Sequence, residues 1–361
     1  MKWWNEERDA YLLGLVRCLL GLLLALNVWQ RFEELENWAY FGDVFHLPFV
    51  PEAWVPSLGT YRILLGLELG GALLGLVGYW GREGLFAASS IGLYLLACDR
   101  LQYHNNRFAL LLACLLCAFA ASDRSFLLYR GRHHALPVED RLAPTLPRRL
   151  LQLQVSAIYL SSGGGKLLDP DWRGGQSMLV RFEEAFVIAS RRGVTFPEWY
   201  REFLTAPLTA SLVSKAAISV ELFIAVGLWF RRTRAVALWV GAAFHLGIQA
   251  SARVELFSWL MGVCYIAFAT PELGERRVWV DARTALGRAV KAGLPWLDWL
   301  RRFRLEDEPP EKGALAVADR EGRVARGLAV PAALARGLPA LYLAWPVLAG
   351  LKRLRPRLTD T

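Results

Sequence analysis

The sequence predicts an all-α polytopic membrane bundle of about eight spans, followed by a separate C-terminal domain. Three observations carry that prediction. The first is composition: 55% of the 361 residues are hydrophobic and the mean hydropathy is +0.28. Counted with glycine in place of tyrosine, the apolar share is roughly 61%, against about 45–50% in soluble domains. The second is the repeated occurrence of continuous apolar runs near the length that a bilayer requires, about 20 residues. The third is a change of character at Pro271, after which the chain is arginine-rich with short periodic segments. Disorder, a disulfide-rich secreted module and an ordinary soluble enzyme are excluded by this composition. The net charge of +9 comes from arginines scattered between apolar runs, which suits a lipid bilayer as partner and not a nucleic acid.

The start, Met1 to Asp9, is mixed in charge, and no small-residue cleavage site follows it, so no cleavable signal peptide is expected. The candidate spans are 11–30, 60–80, 84–98, 108–121, 150–166, 208–230, 235–252 and 254–270. The third and fourth are short and could be tilted partners inside the bundle. The runs are continuous and do not alternate, which argues against a β-barrel. Arginine counts set the orientation. The connection 31–59 holds Arg31 alone and 99–107 holds Arg100 and Arg107, whereas 122–149 holds six arginines and 231–234 reads Arg-Arg-Thr-Arg. Eight spans then place both termini in the cytoplasm of a multi-pass inner-membrane protein. The 41-residue connection 167–207 carries five arginines on the opposite side and is long enough to fold as its own element. Trp29, Trp38, Trp54, Trp80, Trp199 and Trp229 stand near span ends as an aromatic belt. We take 1–270 as the transmembrane domain and 271–361 as a cytoplasmic domain, whose apolar stretch 340–348 is Pro-broken and too short to span.

A charge inside a bilayer costs at least about 2.5–3.5 kcal/mol, so each one needs a reason. Glu68 interrupts the second span, and Lys215 and Glu221 share the sixth on different helix faces. Arg17, in the first span, could pair with Glu68 or Glu221. Either a structural ion pair or a polar relay would account for these groups. A second polar group, Tyr103-His104-Asn105-Asn106-Arg107, opens the fourth span and could bind a polar head group. His245 and Gln249 lie four apart, on one helix face. Lys166 completes the set. Cys114 and Cys117, in C-x-x-C spacing, sit mid-span among aliphatic residues and read as small packing residues, not as a redox pair. His133 and His134 have no partners at metal-ligand spacing. The run 163–165 is Gly-Gly-Gly without a phosphate-loop lysine-hydroxyl pair, and reads as close helix approach or a broken helix.

Three blocks resemble the vitamin K-dependent γ-carboxylase-like, or HTTM, membrane proteins over about residues 10–275. They are Tyr103-His-Asn-Asn-Arg-Phe-Ala-Leu-Leu ending at Ala121-Ser-Asp-Arg-Ser, Ile158-Tyr-Leu-Ser-Ser-Gly-Gly-Gly-Lys166-Leu-Leu-Asp-Pro-Asp-Trp172-Arg-Gly-Gly, and Phe244-His245 with Glu255-Leu-Phe-Ser-Trp-Leu-Met and Phe268-Ala-Thr-Pro271. In the animal carboxylase the membrane domain oxygenates vitamin K hydroquinone, a lysine handles the proton, and the strong base formed deprotonates glutamate before CO2 addition. The resemblance therefore implies Lys166 as base with His245 and His104 nearby, and Asn105, Asn106, Arg107 and Gln249 toward a reduced quinone. Such a lysine must be neutral near pH 7, which needs desolvation without a counter-charge.

This chain departs from the carboxylase at two places. The animal lysine stands five residues before the tryptophan, where this chain has Leu167. Lys166 is six before, and one residue turns a helical side chain by about 100°. An Asn-Asn-His run there is Asn105-Asn106-Arg107 here, and the large lumenal domain has no counterpart. These departures favour a non-catalytic scaffold or partner in a membrane redox or peptide-maturation system. The alternative is a quinone-dependent oxygenase or carboxylase-like lyase. The stretch from Val278 to Leu305 and on through 314–327 resembles the DCC-type thiol-disulfide oxidoreductase-like domain, which implies a small α/β thioredoxin-like fold. Its two cysteine positions are Thr284 and Gly287 here, and no Cys follows Cys264. Without a thiolate there is no disulfide exchange, so the domain reads as a degenerate, non-catalytic one.

Overall fold

The computed structural model describes residues 6–338 except 39–46, 102, 131–135, 137–138, 231, 252–255, 270–275, 299–301, 308–313 and 319–321, with isolated positions beyond. His133, His134, Glu255 and Pro271, and most of the stretch 340–348, lie outside the described residues. The chain is mostly helical and divides into two compact units, 1–269 and 270–361.

The first unit opens with a short strand, β1 (Glu7–Asp9), and the long helix α1 (Tyr11–Trp38). It continues with α2 (Leu58–Val77), α3 (Gly81–Ala97), α4 (Asn105–Phe119), β2 (Leu142–Pro144) and α5 (Leu146–Leu168). After these come α6 (Pro170–Gly174), α7 (Gln176–Arg191), α8 (Glu198–Thr205), α9 (Pro207–Gly227), α10 (Arg234–Ser251) and α11 (Phe257–Tyr265). Among the described residues three helices are long and apolar enough to cross a membrane, Tyr11–Phe32, Leu58–Val77 and Pro207–Gly227. Asn105–Phe119 and Phe257–Phe268 are shorter apolar helices. The connection 167–207 folds as three helices, with Phe186 of α7 set edge-on against Phe196 and Tyr200.

Helix α1 is the central post. Val16, Leu20, Leu24 and Val28 are fully buried at three- and four-residue steps, the period that keeps one helix face against its neighbours. Around it pack α2, α4 and α11, while α5 packs against α9, α4 and α11. Helices α2 and α3 approach through glycine. A methyl group built on Gly71 would lie 2.6 Å from the Gly84 carbonyl oxygen, and one built on Gly84 would lie 2.7 Å from that of Gly71. Membrane helices, lacking a hydrophobic driving force between them, gain packing energy by such contacts.

Two links tie loops together. Strand β1 pairs antiparallel with β2, and Asp9 accepts two-pronged bonds from Arg141, at 3.1 Å from Nε to Oδ1 and 3.0 Å from Nη2 to Oδ2. At another place Phe49 N–H donates to the Ala97 carbonyl at 2.8 Å and Arg100 N–H to the Leu47 carbonyl at 2.7 Å.

The second unit has a four-stranded sheet in the order β4-β3-β5-β6, made of β3 (Arg276–Val280), β4 (Phe303–Glu306), β5 (Leu315–Ala318) and β6 (Val324–Arg326). Strands β3 and β4 are parallel, joined through α12 (Ala285–Leu297), and the other two pairings are antiparallel. A last helix, α13 (Ala329–Gly337), adds Val330 to a core of Val278, Val280, Leu294, Leu315, Val317 and Leu338. Thr284 stands at the N-cap of α12 and its hydroxyl accepts the Gly287 N–H at 3.0 Å. The two positions aligned with the DCC cysteines are therefore joined by a helix cap.

Candidate functional site

Helix α5 carries Tyr159, Ser162, Gly163 and Lys166 along one face, spaced by three and four residues. Gly163 lets α9 come close: a methyl group there would stand 3.1 Å from Cβ of Glu221. That approach brings Lys166 Nζ to 2.8 Å from both carboxylate oxygens of Glu221 and 2.5 Å from Ser162 Oγ. Ser162 in turn donates to Glu221 at 3.2 Å. The Trp172 ring closes the other side, its centroid 5.1 Å from the ammonium. Lys166 is 19% exposed and Glu221 6%. Neither Asp169 nor Asp171 makes an ion pair with Lys166 among the described residues. Asp169 caps α6 instead, accepting the Asp171 N–H at 2.9 Å. Lys166 thus neither points to bulk water nor stands as an isolated amine.

A second polar group lies deeper, two helix turns before Lys166. Tyr159 shares hydrogen bonds with His245 Nε2 on α10 and with the Tyr265 hydroxyl on α11. Tyr159, His245 and Tyr265 are all buried, and His245 Nδ1 has no hydrogen-bond partner among the described residues. A third group joins α1, α2 and α4. Arg31 donates to Glu68 at 3.3 Å and to the Tyr61 hydroxyl, and Arg107 Nη2 stands 3.8 Å from Glu68 Oε1.

The structure therefore distributes the sequence-predicted residues and does not gather them. Lys166 is held by Glu221, His245 by two tyrosines and Arg107 by Glu68, and no hydrogen bond or ion pair joins Lys166 to His245 among the described residues. His104, Asn105 and Gln249 are exposed and Asn106 is half-buried, near the start of α4 and the end of α10. One expectation is corrected. Arg17 pairs with neither Glu68 nor Glu221. Its guanidinium donates to the carbonyls of Gly75 at 2.9 Å, Ser122 at 2.8 Å and Phe126 at 2.6 Å. These carbonyls lie at or just beyond helix ends, where acceptors lack intrahelical donors, so they replace a carboxylate. Cys114 and Cys117 are free and fully buried in α4.

Sequence reasoning missed Ser162, Tyr159, Tyr265, Arg31 and Tyr61. Tyr159 could have been found, because it stands seven residues before Lys166 and so on the same face. Tyr265 and Arg31 could not, since no spacing links them to their partners. Among the described residues no group of three His, Cys, Asp or Glu side chains is placed to hold a metal ion.

Comparison with known proteins gives one family. No curated protein and no solved structure matches the chain. The HTTM domain family model matches residues 5–272, which takes in the whole helical unit from β1 to α11 and all three polar groups. The chain belongs to the HTTM domain family.

Proposed function

We propose that this HTTM protein is a multi-pass inner-membrane protein acting as a non-catalytic scaffold or partner in a membrane redox or peptide-maturation system. The observation that carries the reading is the fixation of Lys166. A lysine base must hold a free electron pair beside its substrate, yet here the amine is gripped by both oxygens of Glu221, by Ser162 and by the Trp172 face. A reduced quinone seated as a base substrate would have to break that pair, so the residues around Lys166 do not fit it. In this role Lys166 ties α5 to α9.

Loop pairing supports the orientation. Strand β1, before α1, pairs with β2, before α5, which puts the start of the chain and the arginine-rich connection 122–149 on one side. The bonds between 47–49 and 97–100 put the connections 31–59 and 99–107 together as well. Both agree with four crossings before residue 142 and eight in all. The parallel βαβ unit followed by an antiparallel hairpin supports a thioredoxin-like reading of the second unit, with Thr284 capping a helix where the DCC family has a thiol.

One observation favours the lyase or oxygenase alternative. The Tyr159, His245 and Tyr265 side chains form a buried hydrogen-bonded chain able to hold a phenolic ligand or pass a proton. The test is incubation of the purified full chain with reduced quinone while oxygen uptake and epoxide are measured. Uptake at the level of a protein-free micelle is expected. Turnover that disappears in Lys166→Met would overturn the scaffold reading, and turnover that survives Lys166→Met but not Tyr159→Phe would move the chemistry to the tyrosine pair.

A further inference from the structure

The cluster between α1, α2 and α4 carries an unbalanced charge. Arg31 and Arg107 converge on a single carboxylate, Glu68, which is fully buried. The two guanidiniums are 13% and 11% exposed, so one positive charge is left over in a place that solvent hardly reaches. An isolated buried charge is expensive, and a protein ordinarily supplies a counter-ion or enough acceptors. Arg17 shows the second solution in the same bundle, with Nε, Nη1 and Nη2 all donating to carbonyls.

Arg107 follows neither course. Its Nε and Nη2 are shut off from solvent and have no hydrogen-bond partner among the described residues, and Glu68 Oε1 opposite them is equally unpartnered. Nε and Nη2 form one edge of the guanidinium, the fork that takes two oxygens of a phosphate or carboxylate side by side. Glu68 cannot fill that fork, because it already serves Arg31 through Oε2 and stands 3.8 Å from Nη2. The Tyr61 hydroxyl lies between the two helices that carry the arginines. Asn27, one turn before Arg31, leaves its side-chain oxygen buried and unpartnered, so it can turn its amide to donate. Arg107 is also the third residue of α4, where the first-turn N–H groups favour an anion.

From this we propose a phosphate-binding site at the Arg107 fork, backed by Arg31 and bounded by Glu68. Its occupant is a phosphate group that neutralises the spare charge. Arg31, Tyr61 and Arg107 all stand at one end of their helices, at the level where a bilayer presents lipid phosphates. A lipid headgroup and a free phosphate therefore share the chemistry. The site is independent of Lys166, so it stands or falls apart from the scaffold reading.

The test uses the full chain in a phosphate-free maltoside micelle. Thermal unfolding is followed with inorganic phosphate, with dihexanoyl-phosphatidylglycerol, and with chloride at equal ionic strength. Stabilisation by phosphate or by the lipid beyond that by chloride is expected, weakened about tenfold or more in Arg107→Lys, which keeps the charge and loses the fork. Glu68→Gln, by removing the competing carboxylate, should tighten binding. Should either variant fold poorly, phosphorus line-broadening on the wild-type protein, reversed by excess sulfate, gives the same answer. Response to phosphate assigns the site to a free oxyanion, and response to the lipid alone assigns it to the headgroup. No stabilisation by either, or stabilisation equal in Arg107→Lys, overturns the proposal and leaves the fork to an internal water.

Discussion

Replacing either member of the Lys166–Glu221 pair should destabilise the bundle far more than replacing both. Glu221 is 6% exposed and Lys166 19%, and both bonds from the ammonium are 2.8 Å long. Removal of one partner of such a buried pair costs about 3–5 kcal/mol, because the other charge is left uncompensated. In Lys166→Met the Glu221 carboxylate keeps only Ser162, at 3.2 Å. In Glu221→Met the ammonium keeps Ser162 and the Trp172 face, the latter worth about 0.5–2 kcal/mol. The lysine variant should therefore be the worse of the two, near the upper end of that range. The double variant, which puts two apolar chains into the same space, should fall within about 1 kcal/mol of wild type. Reversible unfolding in mixed dodecyl sulfate and maltoside micelles, followed by helical circular dichroism, measures all four corners of the cycle. Additive effects, or a Lys166→Met cost below about 0.5 kcal/mol, would refute the view that Lys166 is a tie between α5 and α9.

Three further outcomes are expected. Arg17→Lys should cost about 2 kcal/mol or more in the same unfolding assay, since an ammonium cannot reach the carbonyls of Gly75, Ser122 and Phe126 together. Gly71→Leu should separate α2 from α3 and cost at least about 1–3 kcal/mol, whereas Gly66→Leu, with open space around it, should change little. Asp298 is 7% exposed, and burial raises its pKa above the ordinary carboxylate value despite N–H bonds from Arg302 at 2.9 Å and Phe303 at 2.8 Å and the nearby Arg276 charge. The folded form thus holds its proton more tightly than the unfolded chain. The stability linked to that proton is fully present below the ordinary carboxylate pKa and is lost as pH rises through the folded value. The advantage of wild type over Asp298→Asn should shrink with rising pH, read as amide exchange at Phe303 to Glu306 at matched pH. An advantage that grows with pH would contradict this.

The helical bundle was legible in the sequence because hydrophobic burial is written locally. Each run that reads as a candidate span, from 11–30 to 254–270, coincides with a helix, and the polar character of 167–207 marks the three helices that interrupt the series. Length was harder to read. The bilayer rule counts apolar residues, and α4 and α11 meet the apolar requirement over fewer residues than a full crossing. Charge pairing was less legible still. Arg17, Glu68, Lys166 and Glu221 were all recognisable as costly, but which of them meet depends on helix packing, and 55 residues separate Lys166 from its carboxylate.

The three polar groups also show why a lysine in the right neighbourhood does not by itself carry a base. Each α5 side chain that faces inward is claimed by a different helix: Tyr159 by α10 and α11, Lys166 by α9. For Lys166 and His245 to act on one substrate, the tyrosine pair and the glutamate pair would both have to open, and each contributes to the packing of the bundle. A shift of Lys166 by one residue, about 100° around the helix, would turn it away from Glu221, and Leu167 at that next position is exposed. The one-residue difference from the carboxylase pattern therefore decides whether the amine faces the α9 carboxylate or the outside of the helix pair. In this chain it faces the carboxylate, which makes the lysine a structural cation whose removal is felt in stability first.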